Sequence, residues 1–173
     1  NMMLSMHMGG KNILIPNPRD LKATLKELST QRFHSFPAVN TLFNGLAHHP
    51  DFNTADWSHL KVSVGGGMAV QSAVAKLWLE KTGCPICEGY GLSETSPIVS
   101  CNPVTSREFS GTIGVPLPST YVKLVGDDGQ DVTTPGQHGE IAIKGPQVMA
   151  GYWQRPDETA KAMTVDGYFL TGD

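Results

Sequence analysis

Hydrophobic positions change their period partway along the chain. In the first half, short apolar runs alternate with helical ridges. Residues 11–15 read as a short buried strand, and Asn17-Pro18 supplies an N-cap and first-turn proline for a helix whose Leu21, Leu25 and Leu28 share one face. Residues 33–39 form a second strand candidate, with Pro37 placing it near a strand end. The spacing of Val39, Leu42, Phe43 and Leu46 then predicts a helix ending near His48-His49-Pro50. Lys61-Val62-Ser63-Val64 is a third strand that runs into Gly65-Gly66-Gly67. Val70, Val74, Leu77 and Trp78 mark another amphipathic helix that stops at Gly83, and Pro85-Ile86-Cys87 leads into a further strand. Strand, glycine turn, helix, strand is a parallel βαβ unit. The turns that follow its strands then lie at the C-terminal edge of one sheet, where open α/β sheets bind ligands.

After about Asn102-Pro103 no long helical period survives. Tyr121-Val122-Lys123-Leu124-Val125 and Glu140-Ile141-Ala142-Ile143-Lys144 alternate between apolar and polar, and Asp128-Gly129 is a hairpin signal. One brief helix is expected after Pro156, over residues 157–163, and Asp166-Gly167 turns into a final strand, Tyr168-Phe169-Leu170. The predicted fold class is α/β: a parallel sheet with flanking helices over residues 1–104, then a small antiparallel, β-barrel-like subdomain over residues 105–173. The apolar start reads as the tail of a helix begun earlier, and the abrupt end at Asp173 suggests that both ends are cuts.

Composition changes this picture little. The formal net charge of −3 argues against non-specific nucleic-acid binding, and no apolar run is long enough to span a membrane. Cys84 and Cys87 have redox-motif spacing but enter a strand, whereas a reactive pair wants its first cysteine at a helix N-terminus. A reducing compartment is therefore expected. The six histidines are scattered and show no metal-ligand spacing, and a nucleophile with its base is missing, so hydrolase chemistry has little to stand on.

Candidate chemistry concentrates in Glu88-Gly89-Tyr90-Gly91-Leu92-Ser93-Glu94-Thr95. Its glycines let a backbone approach a ligand closely, and Tyr90 offers an aromatic face. Ser93 and Thr95 offer hydroxyls to phosphate oxygens, and Glu94 offers a hard oxygen suited to a magnesium ion. The same stretch also reads as an ordinary strand and turn, with Ser93 or Thr95 capping a short helix. Gly65, Gly66 and Gly67 fit neither a dinucleotide fingerprint nor a Walker loop, and tight strand-to-helix packing accounts for them as well as ligand contact does. Asp173, after a flexible Gly172, could accept both hydroxyls of a ribose or simply be a turn aspartate.

Gly89-Tyr90-Gly91-Leu92-Ser93-Glu94-Thr95, then Gly111-Thr112-Ile113-Gly114-Val115-Pro116, Gly139-Glu140-Ile141, Gly151-Tyr152-Trp153 and Thr171-Gly172-Asp173 resemble, in order and spacing, the adenylate-forming enzyme superfamily. More narrowly, Asn40-Thr41-Leu42-Phe43-Asn44, the Gly65 turn and residues 145–156 resemble bacterial long-chain fatty acid CoA ligases. The resemblance covers essentially the whole chain. It implies that Tyr90 stacks on adenine, with Gly89, Gly91 and Gly65-Gly66-Gly67 forming the base pocket. It also implies that Ser93 touches phosphate, Glu94 holds magnesium and Asp173 grips the ribose, while the helix from Asn40 to Leu46 and the Gly65 turn border an acyl tunnel. ATP, magnesium, a fatty acid and coenzyme A are the implied cofactors and substrates.

The resemblance also implies parts that this sequence lacks. The phosphate loop lies upstream in relatives, and the hinge and lysine-bearing C-terminal domain follow the position of Asp173. An isolated chain of this kind is expected to be inactive and, with its packing surface bared, to self-associate as a homodimer. The implied setting is cytoplasmic, with peripheral contact to the inner face of a membrane. Two rivals stay open: a ligase for a short-chain, aryl or amino acid, and a non-catalytic nucleotide-binding module on the same scaffold.

Overall fold

The computed structural model describes residues 2–173, which divide into two compact units: one holds residues up to Glu88 together with Asn102–Thr112, the other Gly89–Cys101 with Ile113–Asp173. In the first, α1 (Met2–His7) is a helix with no buried residue, and Asn1, part of the expected helix tail, lies outside the described residues. Residues 11–15 form no strand, against expectation. Ile13 and Ile15 pack partly against the core, but Leu14 between them is 73% exposed, so the run is not buried as a strand would be. Helix α2 (Leu21–Leu28) starts later than Asn17-Pro18 predicts, because Asp20 caps it by accepting the Ala23 N–H at 2.9 Å.

Strand β1 (Ser35–Ala38), helix α3 (Asn40–His48), strand β2 (Val62–Gly65), helix α4 (Ser72–Thr82) and strand β3 (Ile86–Gly91) complete the unit's frame. β1 pairs β2 and β2 pairs β3, both in parallel, as the βαβ order requires. Pro37 is tolerated within β1 because that strand has one neighbour only. Gly83 ends α4 in the left-handed conformation, with φ of 70°. The core is aromatic: Trp78 lies 4.7 Å from Phe43 and 5.1 Å from Trp57, ring centre to ring centre. Both buried indoles find acceptors, Trp78 at Ser63 Oγ (2.9 Å) and Trp57 at the Phe52 carbonyl (3.0 Å). Cys84 and Cys87 are buried in this core.

In the second unit the end of β3 turns to antiparallel pairing with β4 (Ile98–Cys101), which pairs β5 (Val115–Pro116). Beyond it, β6 (Tyr121–Val125), β7 (Asp131–Val132), β8 (Glu140–Lys144) and β9 (Phe169–Leu170) make a four-stranded antiparallel sheet in the order β7-β6-β8-β9. Helix α5 (Pro156–Lys161) precedes β9. Ile143 of β8 and its cross-strand partner Phe169 of β9 are buried on one face of this sheet, and Ala142, the neighbour of Ile143 in β8, is buried on the other.

Two ion pairs through Lys123 tie β6 to β7 and to the turn before β9. Lys123 Nζ meets Asp131 at 2.9 Å and Asp166 at 2.8 Å. The Lys123 hydrogen bond, followed by that from Thr164, lowers the Asp166 carboxyl from the usual 3.8 to about 2. A carboxylate depressed on folding stabilises the native state above its unfolded pKa, and that contribution is lost as pH falls through the folded value. The urea midpoint should therefore decline between pH 3.8 and about 2, and Asp166→Asn should be shallower over that window, the two curves converging at its acid end. Parallel curves for the two proteins would show that this pair carries no pH-dependent stability.

Candidate functional site

Each unit holds part of the predicted site. In the first, Gly65 ends β2 beside Glu88 of β3. A Cβ at Gly65 would lie 2.6 Å from Val70 Cγ2 and 2.9 Å from Ile86 Cγ2, so close packing alone demands glycine there. Two side chains tie down the loop into α4: Glu88 Oε1 accepts the Val70 N–H at 3.1 Å, and Asn40 Oδ1 accepts the Gln71 N–H at 2.9 Å. Phe43 and Leu46 of α3 are fully buried in the core.

In the second unit, Gly89 and Tyr90 pair with Cys101 and Ser100 of β4. A Cβ at Gly91 would run into the Pro97 carbonyl group, so the chain itself requires glycine at that turn. Tyr90 donates its phenol hydrogen to Asp173 Oδ2 at 2.6 Å, across 83 residues of sequence. Burial, and then this bond, push the Tyr90 phenol up to about 12, so it remains a donor at neutral pH.

Asp173 is placed by β8. Its carbonyl accepts the Ile141 N–H at 3.1 Å, and Thr171 N–H returns a bond to the Ile141 carbonyl at 3.1 Å. Gly172, with φ of 81°, donates its N–H to Glu140 Oε1 at 2.7 Å.

Residues Ser93–Thr95 form a single 3-10 turn, with Ser93 exposed and Glu94 half-buried. Thr95, expected to offer its hydroxyl to phosphate, is fully buried instead. Its Oγ1 accepts the Leu92 N–H at 3.0 Å and donates to the Pro97 carbonyl at 2.7 Å, so it shapes the turn and faces no ligand.

Sequence reasoning gave no role to Tyr152 or Glu140, although both lie inside quoted motifs; their partners are 58 and 32 residues away, which no local pattern reveals. Tyr152 donates its phenol hydrogen to Glu94 Oε1 at 3.1 Å. Partial burial, then Glu94 and Glu158, raise that phenol's pKa. Glu94, Glu140, Tyr152, Glu158, Lys161 and Thr171 line a cleft of about 350 Å³ within this unit.

Among the described residues no group of three or more histidine, cysteine or acidic side chains could hold a metal. A lone Glu94 cannot cage an ion by itself. It does fit magnesium, which dehydrates reluctantly and commonly takes one or two carboxylates together with substrate phosphates and water. No described helix is long and apolar enough to cross a membrane.

Residues 1–153 match the family described as AMP-binding enzyme. The chain is 49% identical over 173 residues to a long-chain-fatty-acid–CoA ligase of Haemophilus influenzae, covering 100% of this chain but 30% of that protein. It is 34% identical over 165 residues to a feruloyl-CoA synthase of Amycolatopsis, covering 95% of this chain and 33% of that one. The crystal structure of ATP-bound MatB from Rhodopseudomonas palustris superposes with a TM-score of 0.86 at 28% identity, covering 99% of this chain and 33% of the other. The chain thus spans about a third of the length of the proteins it resembles.

Proposed function

The chain belongs to the AMP-binding enzyme family, and from that premise we propose that it supplies the adenosine-binding part of a long-chain fatty acid CoA ligase. The observation that carries this reading is the contact between Tyr90 and Asp173 at 2.6 Å. It sets an aromatic face for a base beside a carboxylate for a ribose diol, and fixes both on one unit. Gly89 and Gly91 admit the base by backbone approach. Ser93 reaches phosphate with its exposed hydroxyl.

The reaction runs in two halves. A fatty acid carboxylate oxygen attacks the α-phosphorus of ATP and pyrophosphate leaves, giving acyl-AMP. The coenzyme A thiol, giving up its proton, then attacks the acyl carbonyl and AMP leaves. The first half brings two anions together. Glu94 would hold a magnesium ion, which would supply positive charge against that repulsion, and Ser93 donates a hydrogen bond to the phosphate end. The remaining two thirds of the relatives' length carry the rest of the phosphate clamp in this reading, so these residues alone have negligible ligase activity. The reading includes a cytoplasmic setting, with peripheral membrane contact compatible with a long-chain acid as substrate.

The test is acid-dependent ATP–pyrophosphate exchange by a full-length ligase carrying this chain, across acids from acetate to oleate, with benzoate, ferulate and amino acids alongside. Exchange peaking with long chains supports the reading. The similarity to a feruloyl-CoA synthase favours aryl acids as the second reading, and a peak there would keep the mechanism and change the substrate. Silence from folded, magnesium-supplied protein would favour a non-catalytic nucleotide-binding module.

A further inference from the structure

We infer that Tyr152 is a positioning residue for Glu94, holding that carboxylate in the orientation from which it meets the metal–nucleotide complex. The inference rests on the ligase reading above and adds to it a residue to which that reading gives no role. Glu94 stands on a turn of three residues, too short to fix a long side chain by itself. The segment after β8 grips it at two points. Met149 N–H donates to the Glu94 backbone carbonyl at 2.8 Å, and the Tyr152 phenol donates to Oε1 at 3.1 Å.

Tyr152 is itself held from behind. Its N–H donates to Thr159 Oγ1 at 2.9 Å, and that hydroxyl donates to the Arg155 carbonyl at 2.9 Å, at the start of α5. Gly151 lets the two segments meet, since a Cβ there would lie 2.8 Å from Thr159 Cγ2. The bond occupies one carboxylate oxygen, and Glu94 makes no other side-chain hydrogen bond among the described residues. The second oxygen is therefore the one presented to a ligand. A carboxylate fixed in this way loses less conformational freedom when it binds, and affinity rises by that saving.

The experiment uses a full-length ligase carrying this chain, with Mn²⁺ as a spectroscopic stand-in for Mg²⁺ and a non-hydrolysable ATP analogue at saturation. Tyr152→Phe keeps the ring and removes only the hydroxyl. Its Mn²⁺ dissociation constant, read by electron paramagnetic resonance, should rise about 3- to 10-fold, within the range of one ordinary intramolecular hydrogen bond. Metal-free analogue affinity and the KM for the acid should not change. In turnover, the magnesium concentration giving half-maximal rate should rise while kcat at saturating magnesium stays near wild type. In a Glu94→Gln background, Tyr152→Phe should add nothing. Unchanged Mn²⁺ affinity in Tyr152→Phe, or an effect that persists in Glu94→Gln, overturns the positioning role and leaves the ligase reading standing. Wild-type protein that binds no Mn²⁺ with the analogue overturns both.

Discussion

Trp78→Ala should be the most damaging single change to the first unit, lowering stability by about 3–5 kcal/mol. The side chain is fully buried and meets Phe36, Phe43, Phe52 and Trp57. Alanine leaves a cavity where four rings converge, and rigid aromatic walls collapse poorly into such a space. It also strips the buried Ser63 hydroxyl of the indole N–H that reaches it at 2.9 Å. Trp78→Phe restores most of the volume but not the hydrogen bond, and is expected to cost about 1–3 kcal/mol. Urea unfolding of the two variants beside wild type separates these contributions. Against a typical total of about 5–15 kcal/mol, the loss is a large share of the stability and at the low end of that range would leave the alanine variant close to unfolding. A wild-type midpoint for Trp78→Ala would mean that the aromatic cluster is not the keystone of this unit.

Trp78 also illustrates how far the sequence reaches. Its place on a ridge with Val74 and Leu77 was legible, because helical periodicity is a local property and α4 ends at Gly83, whereas Val70, read onto the same helix, lies in the loop before it. Its indole partner on β2 was not, because Ser63 is a small polar residue in a strand and says nothing of what it will meet. The same division separates β6 and β8, whose alternation predicts them, from residues 11–15, whose apolar run has the content of a strand and joins no sheet.

The site divides likewise. The aromatic, carboxylate and glycine chemistry of residues 88–95 could be read from residue types and motif order. Thr95 could not be told from Ser93 by type, since both are hydroxyls one residue from Glu94; only the turn decides which faces inward. Glu140 and Tyr152 act on Gly172 and Glu94 through pairings that exist only once the chain returns on itself.

Asp173→Ala is expected to have the largest effect on nucleotide binding. If the carboxylate accepts both ribose hydroxyls, its removal deletes two charge-assisted hydrogen bonds, about 3 kcal/mol in all or roughly a 150-fold loss of AMP affinity. Tyr90→Phe should act on the same interaction from the other side. It removes the phenol that engages Asp173 Oδ2 at 2.6 Å, and the freed carboxylate must then be ordered by the ligand, for about a fivefold loss. Because both changes act through one carboxylate, the double variant should bind AMP no worse than Asp173→Ala with phenylalanine still stacked on the base. Calorimetric titration with AMP and with 2′-deoxy-AMP supplies the decisive comparison: wild type should prefer the ribonucleotide, and Asp173→Ala should not. Equal affinity of wild type for the two would remove Asp173 from the ribose site, and fully additive losses in the double variant would mean that the Tyr90–Asp173 contact has no part in holding the nucleotide.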